Sequence, residues 1–438
     1  MKKYISLLLS LLLVVIVLGN FGVKNVIYFI GDGMGINQIL LASYIEGRTL
    51  NIMKAPYVGF ATTYSANSLV TDSAAAGTAL AAGFKTNNGM IGMLPDGTIV
   101  PSIFEVVSKY GVKTGIVVTC RVTHATPGAF YGHVTSRKDE NTLAEQLINS
   151  SIDVVMGGGW RNFVATGGKR KDGKDLIALA KKKGFDYITT KSELMNYNGD
   201  RLLALFSSSH LSAASERSGE QPMLYEMVEK ALEILSKDGQ PFFLMVEGSQ
   251  IDWEGHGNDP YGVWKEMMEF DKAIGVALKF LETHPDTLIV VTADHETGGL
   301  GLSTGGYTLD TDLVKKYQKT ADWMVRNYDV ENEQEFKAAV KKFFGIDLTK
   351  DDIARLKEAK KSSNPYALGN VFGEIISEKA KIGWTTHDHT AAPVPVFAFG
   401  AGAENFGGFM DNTDIPRIIA RLAGYSLSRE TFVIGTGK

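Results

Sequence analysis

Ser73 directly follows Asp72 and opens a run of small helix formers from Ala74 to Ala82. That position puts its hydroxyl at a helix N-terminus, where free N–H groups and the positive dipole end attract anions. Read alone, Asp72-Ser73 is an N-cap pair, since both residue types cap helices well. The other polar residues of the chain give the pair a second meaning.

There are eight histidines in 438 residues, so the company each one keeps is informative. His256 follows Asp252 by four residues, a spacing that puts a carboxylate and an imidazole on one face of a helix. Asp294 and His295 are adjacent, directly after the apolar run Thr287 to Thr292. His389 lies in Thr385-Thr386-His387-Asp388-His389-Thr390, just before the last apolar run. A mixture of Asp and His donors suits zinc or a similar divalent ion. His133, His210 and His284 fit no such pattern and are assigned to structure or surface, while His387 ranks behind His389.

The elements that must position these residues are short apolar runs, each followed by turn signals and then a helical pattern. Asn25 to Ile30 leads into Gly31-Asp32-Gly33-Met34-Gly35, Gly115 to Thr119 into the Thr123–Gly128 loop, and Pro241 to Val246 into Glu247-Gly248-Ser249. Thr287 to Thr292 leads into Ala293-Asp294-His295, and Pro393 to Phe399 closes the series, its prolines pointing to an edge strand. Continuous apolar strands alternating with helices predict an α/β fold, a three-layer sandwich with a large, mostly parallel central sheet and helices on both faces. In such sheets functional residues gather beyond the carboxyl ends of strands. Asp32, Glu247, Asp294 and His295 all fall at such ends. From about residue 307 to 383 the chain is charged and helical in pattern, read as a largely helical insertion within the domain.

Composition narrows the function. Lys and Arg total 45 against 49 Asp and Glu, a net charge of −4, which gives no field for nucleic acid or anionic membranes. The seven basic residues between Lys169 and Lys183 are interrupted by Asp172 and Asp175 and read as a solvated surface. Lys2 and Lys3 precede an apolar-dominated run from Ile5 to Leu18 that suits an export signal over residues 1–19; an uncleaved anchor is the alternative. The single cysteine, Cys120, has no disulfide partner and reads as a buried structural thiol, with the nearby His124 leaving a reactive role open.

In this order the motifs resemble the alkaline phosphatase family. Asp72-Ser73-Ala74 is similar to its nucleophile motif, and Gly31-Asp32-Gly33 to the metal-bridging aspartate at the first strand end. His124-Ala125-Thr126-Pro127 with His133-Val134-Thr135-Ser136-Arg137 resembles the segment carrying a third-metal ligand and the phosphate-gripping arginine. Glu247, Asp252, His256, Asp294, His295 and His389 follow in order, so the likeness extends over the catalytic domain at 23–438.

The resemblance implies that Ser73 becomes phosphorylated, that Arg137 binds phosphate, and that Asp72 orients Arg137 without being a ligand. It implies two zinc ions and one magnesium ion. Asp252, His256 and His389 would hold the first zinc; Asp32, Asp294, His295 and, exchangeably, Ser73 would hold the second. Asp32, Thr126 and Glu247 would hold the magnesium. His124 and Trp253 stand where some members have aspartate and lysine, which opens the third site to zinc or cobalt. Spacing offers no Ser–His–Asp arrangement, so metal activation of Ser73 is expected. The implied activity is hydrolysis of small phosphate monoesters in two displacements, with retention at phosphorus, broad specificity and an alkaline optimum. A homodimer exported to the periplasm or exterior is expected, without stable membrane association unless the signal stays uncleaved. A related phosphodiesterase would use a threonine nucleophile, and Cys120-Arg121-Val122-Thr123 lacks the sulfatase pattern. A binding protein without turnover would lack a ligand, yet each expected position is filled.

Overall fold

The computed structural model describes residues 22–427. The export-signal reading at 1–19 lies outside the described residues, as do positions 428–438 of the expected catalytic domain. Twelve strands are present among the described residues: β1 (Asn25–Gly31), β2 (Tyr57–Thr62), β3 (Lys113–Arg121), β4 (Val154–Gly158), β5 (Asp186–Ile188), β6 (Leu202–Leu205), β7 (Phe242–Gly248), β8 (Thr287–Ala293), β9 (Glu296–Thr297), β10 (His389–Thr390), β11 (Val394–Gly400) and β12 (Gly408–Asp411). Ten of them form one sheet in the order β12-β2-β11-β8-β1-β7-β3-β4-β6-β5.

Every residue of β1, β7 and β8 is buried, as expected of parallel strands covered on both faces. Successive side chains of β1 show the two outer layers. Tyr28 meets Phe130 edge-on at 6.2 Å, and Phe29 meets Phe270 at 5.7 Å. Because neighbours on a strand point to opposite faces, each face has its own helical layer. Phe270 belongs to the long Pro260–Thr283 helix, which packs against the Ile36–Glu46 and Leu224–Ser236 helices.

The register sets the site. Gly31 of β1 lies opposite Gly248 of β7 and Ala293 of β8, so the three carboxyl ends finish in one row. Asp32, Glu247 and Asp294 follow or sit at those ends.

The edge position expected for the last strand is not observed. β11 runs antiparallel between β2 and β8 inside the sheet. Its prolines are tolerated because pairing with β8 begins only at Phe397, and the Pro395 carbonyl instead accepts the Thr292 hydroxyl at 3.0 Å.

Between β9 and β10 the chain forms five helices: Thr311–Val314, Ala321–Asn327, Glu333–Phe344, Lys350–Lys360 and Ala367–Lys379. Phe336 and Phe344 pack edge-on against Phe372, and these rings join the same buried cluster as the sheet. The chain returns as β10, whose His389 pairs with Thr297 of β9 in a two-residue antiparallel ladder. No helix among the described residues is long and apolar enough to cross a membrane.

Candidate metal centre

Asp72 caps the Ser73–Ala82 helix, its Oδ1 accepting the Ala75 N–H at 3.0 Å. Ser73 is therefore the first helical residue, beside unsatisfied N–H groups. The helix is buried along its whole length and is built mostly from Ala. At Gly77 a Cβ would stand 3.2 Å from Thr126 Cα and 3.3 Å from Ala129 Cβ. A glycine in mid-helix is unfavourable by about 1 kcal/mol, and here it allows close approach to the Ala125–Gly128 turn. The same Asp72 side chain reaches sideways, with Oδ2 3.1 Å from an Arg137 guanidinium nitrogen. One carboxylate thus fixes both the helix end and the arginine.

At the carboxyl ends of β1 and β8, Asp32, Asp294 and His295 are fully buried. His295 Nε2 lies 3.4 Å from Asp32, 3.2 Å from Asp294 and 3.2 Å from Ser73 Oγ. Gly33, with φ +75°, donates its N–H to Asp294 Oδ1, and any Cβ there would lie 2.6 Å from Asp252 Cα. This turn admits only glycine. A serine and a histidine meet here, a contact the spacing did not show. The contact is not a triad, because His295 Nδ1 faces the Thr297 hydroxyl at 3.2 Å, and that hydroxyl donates to Asp252. The hydroxyl's proton being committed, Nδ1 carries a hydrogen, and Nε2 faces Ser73 and the carboxylates.

Asp252 and His256 lie on the short Ile251–His256 helix, and His389 arrives on β10. Both imidazoles approach Asp252 Oδ1, at 3.4 and 3.5 Å, and their Nε2 atoms are 3.2 Å apart. His389 Nδ1 faces the Thr71 carbonyl at 2.9 Å, and His256 Nδ1 makes a short contact with the His387 carbonyl. A carbonyl only accepts, so both Nε2 atoms turn toward each other without an intervening donor of their own. A proton or a divalent cation must sit between them. Burial alone would lower His256, but Asp252 raises it to about 9, while burial and then His295 push His389 down to about 4. Burial opposes the charge on Asp252, yet His256, His295 and His389 hold it below the usual carboxylate range.

The third group lies on β3, β7 and the turn after β3. Glu247 is fully buried, and burial followed by Asp294 pushes its carboxyl up to about 8. Asp32 is raised by burial and then by Asp294, Asp252 and Glu247. Neither Asp32 oxygen, nor Glu247 Oε1, Asp294 Oδ2, Thr126 Oγ1 or His124 Nδ1, meets a hydrogen-bond partner among the described residues. Such atoms are costly to bury unless a cation takes the place of a donor. Three donor clusters result: Asp252, His295 and His389; Asp32, Asp294 and His295; and Cys120, His124 and Glu247. His124 also lies 3.4 Å from Arg137, and Trp253 stands perpendicular to it at 6.2 Å.

Several supporting residues carried no signal in the sequence. Thr297 has no motif spacing of its own. His387 and His256 exchange contacts with one another's carbonyls, and His387 Nε2 reaches Glu374 at 2.7 Å. His210, read as structural or surface, stacks edge-on to Trp253 at 4.1 Å beside the third group. His133 is held between Gly92 and Glu105, and His284 stacks on Phe280; neither reaches the centre.

The donor set and the orphaned oxygens fit divalent metals, and comparisons with known proteins agree. A family model described as alkaline phosphatase matches residues 23–425. "Alkaline phosphatase 3" of Bacillus subtilis is 37% identical over 424 residues, covering 92% of this chain and 90% of that protein. "Alkaline phosphatase" of Schizosaccharomyces pombe is 34% identical, covering 93% and 82%. The solved alkaline phosphatase of Thermus thermophilus superposes with TM-score 0.85 at 30% identity, covering 92% of each chain. The cold-active Shewanella enzyme gives 0.83 at 33% identity, covering 91% and 99%. The chain belongs to the alkaline phosphatase family of metal-dependent phosphoric monoester hydrolases.

Proposed function

We propose that this chain hydrolyses phosphate monoesters through a phosphorylated Ser73. In this reading Asp252, His256 and His389 would hold one zinc, and Asp32, Asp294 and His295 a second, with Ser73 as an exchangeable ligand. Asp32, Thr126 and Glu247 would hold a third divalent ion, magnesium or, with His124 beside it, zinc or cobalt. The observation that carries the reading is the convergence of four buried carboxylates, three of them with unpartnered oxygens, on three imidazoles whose Nε2 atoms point inward beside a helix-opening serine. A TAB5 alkaline phosphatase variant with a histidine replaced by glutamate is described as having magnesium bound in its M3 site, which supports a third divalent-metal site in this chain.

When bound, the ions supply the positive charge that favours the serine alkoxide and stabilises the entering and leaving oxygens. The residues do the rest. The N-terminus of the Ser73–Ala82 helix offers backbone N–H groups to the phosphoryl oxygens. Arg137, its fork aimed by Asp72, binds two of those oxygens side by side. Ser73 Oγ forms the new P–O bond as the alcohol leaves; water then displaces Ser73, and the two inversions give net retention. The partly exposed Asp72 and Arg137 leave the leaving-group side with few specific contacts, consistent with broad specificity.

Replacement Ser73→Ala is expected to abolish phosphoenzyme trapped from a radiolabelled aryl phosphate and to lower turnover at least ~10³-fold. Undiminished labelling of that variant would refute the role. An export signal at 1–19 and a homodimer belong to the same reading. N-terminal sequencing of the secreted protein and light scattering test them.

A further inference from the structure

Cys120 is the chain's one cysteine and lies fully buried near the carboxyl end of β3. A buried strand thiol ordinarily packs as a small apolar group. Here Sγ lies 3.3 Å from Glu247 Oε2 and 3.2 Å from the Arg121 carbonyl oxygen. One donor atom each from Cys120, His124 and Glu247 all fall within 4.8 Å of one another. On the same elements Glu247 Oε1, His124 Nδ1 and Thr126 Oγ1 are buried without a hydrogen-bond partner among the described residues. Those orphaned atoms are the independent sign that something beyond the protein belongs there.

The spacing suits shared coordination. Metal–sulfur and metal–oxygen bonds of about 2.3 and 2.1 Å put the two donors about 3.1 Å apart at a right angle and about 3.6 Å apart at the tetrahedral angle. The observed 3.3 Å falls between them. A site of carboxylate and hydroxyl oxygens alone is hard and suits magnesium, whereas a thiolate with an imidazole is softer and suits zinc or cobalt.

We propose that Cys120 is a ligand of the third metal site, and that its Sγ, with Glu247 and His124, makes that site select zinc or cobalt over magnesium. The inference rests on the reading that a third ion is held beside Glu247. On loading, the S–H bond breaks, the sulfur–metal bond forms, and the proton passes to solvent.

The test uses the full chain, stripped of metal and titrated with cobalt(II). Three equivalents should bind, and one of them should bring a thiolate-to-cobalt charge-transfer absorption in the near ultraviolet. With a single cysteine, that band has one assignment, and it should vanish in Cys120→Ser and Cys120→Ala. In a zinc–magnesium competition read by metal content, Cys120→Ser should shift the third site toward magnesium by more than about tenfold. Three bound equivalents without the band would overturn the proposal and leave Cys120 as a hydrogen-bond donor to Glu247. Fewer than three equivalents would overturn the third site itself, and the thiol ligand with it. Should the variants fail to fold, the band of the unaltered chain decides the matter.

Discussion

In the half of the centre built from His256, His295 and His389, each imidazole is tied at Nδ1, to the His387 carbonyl, the Thr297 hydroxyl and the Thr71 carbonyl. In the half built on β3 and β7, Glu247, His124 and Thr126 present buried polar atoms that nothing in the described chain satisfies. The first half is oriented in advance and partly self-neutralised, since Asp252 and His256 form an ion pair. The second carries the buried Glu247 carboxyl, whose Oε1 meets no donor among the described residues. The difference teaches that one half is aimed by its surroundings before a cation arrives, whereas the other relies on the cation to keep its buried carboxylate charged.

The comparison breaks most readily at the ligands. His389→Ala should remove one equivalent of zinc and lower activity by at least ~10²-fold, with partial recovery in excess zinc. Glu247→Gln should deplete the third ion and leave the zinc content unchanged. Metal analysis showing the reverse pattern would mean that the two halves are wrongly divided.

A smaller effect should come from residues that only aim the histidines. Glu374→Ala removes the partner of His387, which in turn holds His256. Zinc affinity should fall about 10- to 100-fold, with the third ion unaffected. Equal loss at both sites, measured by equilibrium dialysis, would show a general collapse instead.

The pH dependence sharpens the contrast. Burial raises the folded-state Glu247 carboxyl to about 8, against about 4.3 for an unfolded chain. A raised carboxyl favours the folded state below the unfolded value, and that contribution is lost as pH rises through the folded one. Asp32, raised by burial and its acidic neighbours, acts in the same direction. The metal-free protein should therefore lose stability between about pH 5 and 8, while bound cations keep these carboxylates favourably charged. The difference in Tm between loaded and stripped protein should widen across that range. A constant difference in calorimetry would contradict the assignment of the strain to Glu247 and Asp32.

The smallest effect is expected at Asp72, which lies outside both donor sets. Asp72→Ala removes a helix cap worth about 1 kcal/mol and releases Arg137. KM for an aryl phosphate should rise while metal content stays fixed. Loss of metal in this variant would show that the arginine side and the metal halves are not separable.

The sequence by itself determined the strand ends. Continuous apolar runs ending in Asp32, Glu247 and Asp294 follow from local composition, because strands buried on both faces must be apolar until they emerge. Asp72 before an alanine-rich helix, and Asp252 four residues before His256, are likewise local patterns with local causes. Only the tertiary structure decided what surrounds them. The β9–β10 ladder brings His389 beside Thr297 across more than 90 residues, and the Ala367–Lys379 helix brings Glu374 to His387. It also placed β11 antiparallel inside the sheet, against the edge position its prolines suggested, and set the Cys120 thiol on Glu247. Contacts of this kind depend on register and packing between distant segments. A hydroxyl, a carbonyl or a lone thiol has no periodicity to announce its partner, so these residues became visible only once the sheet had brought them together.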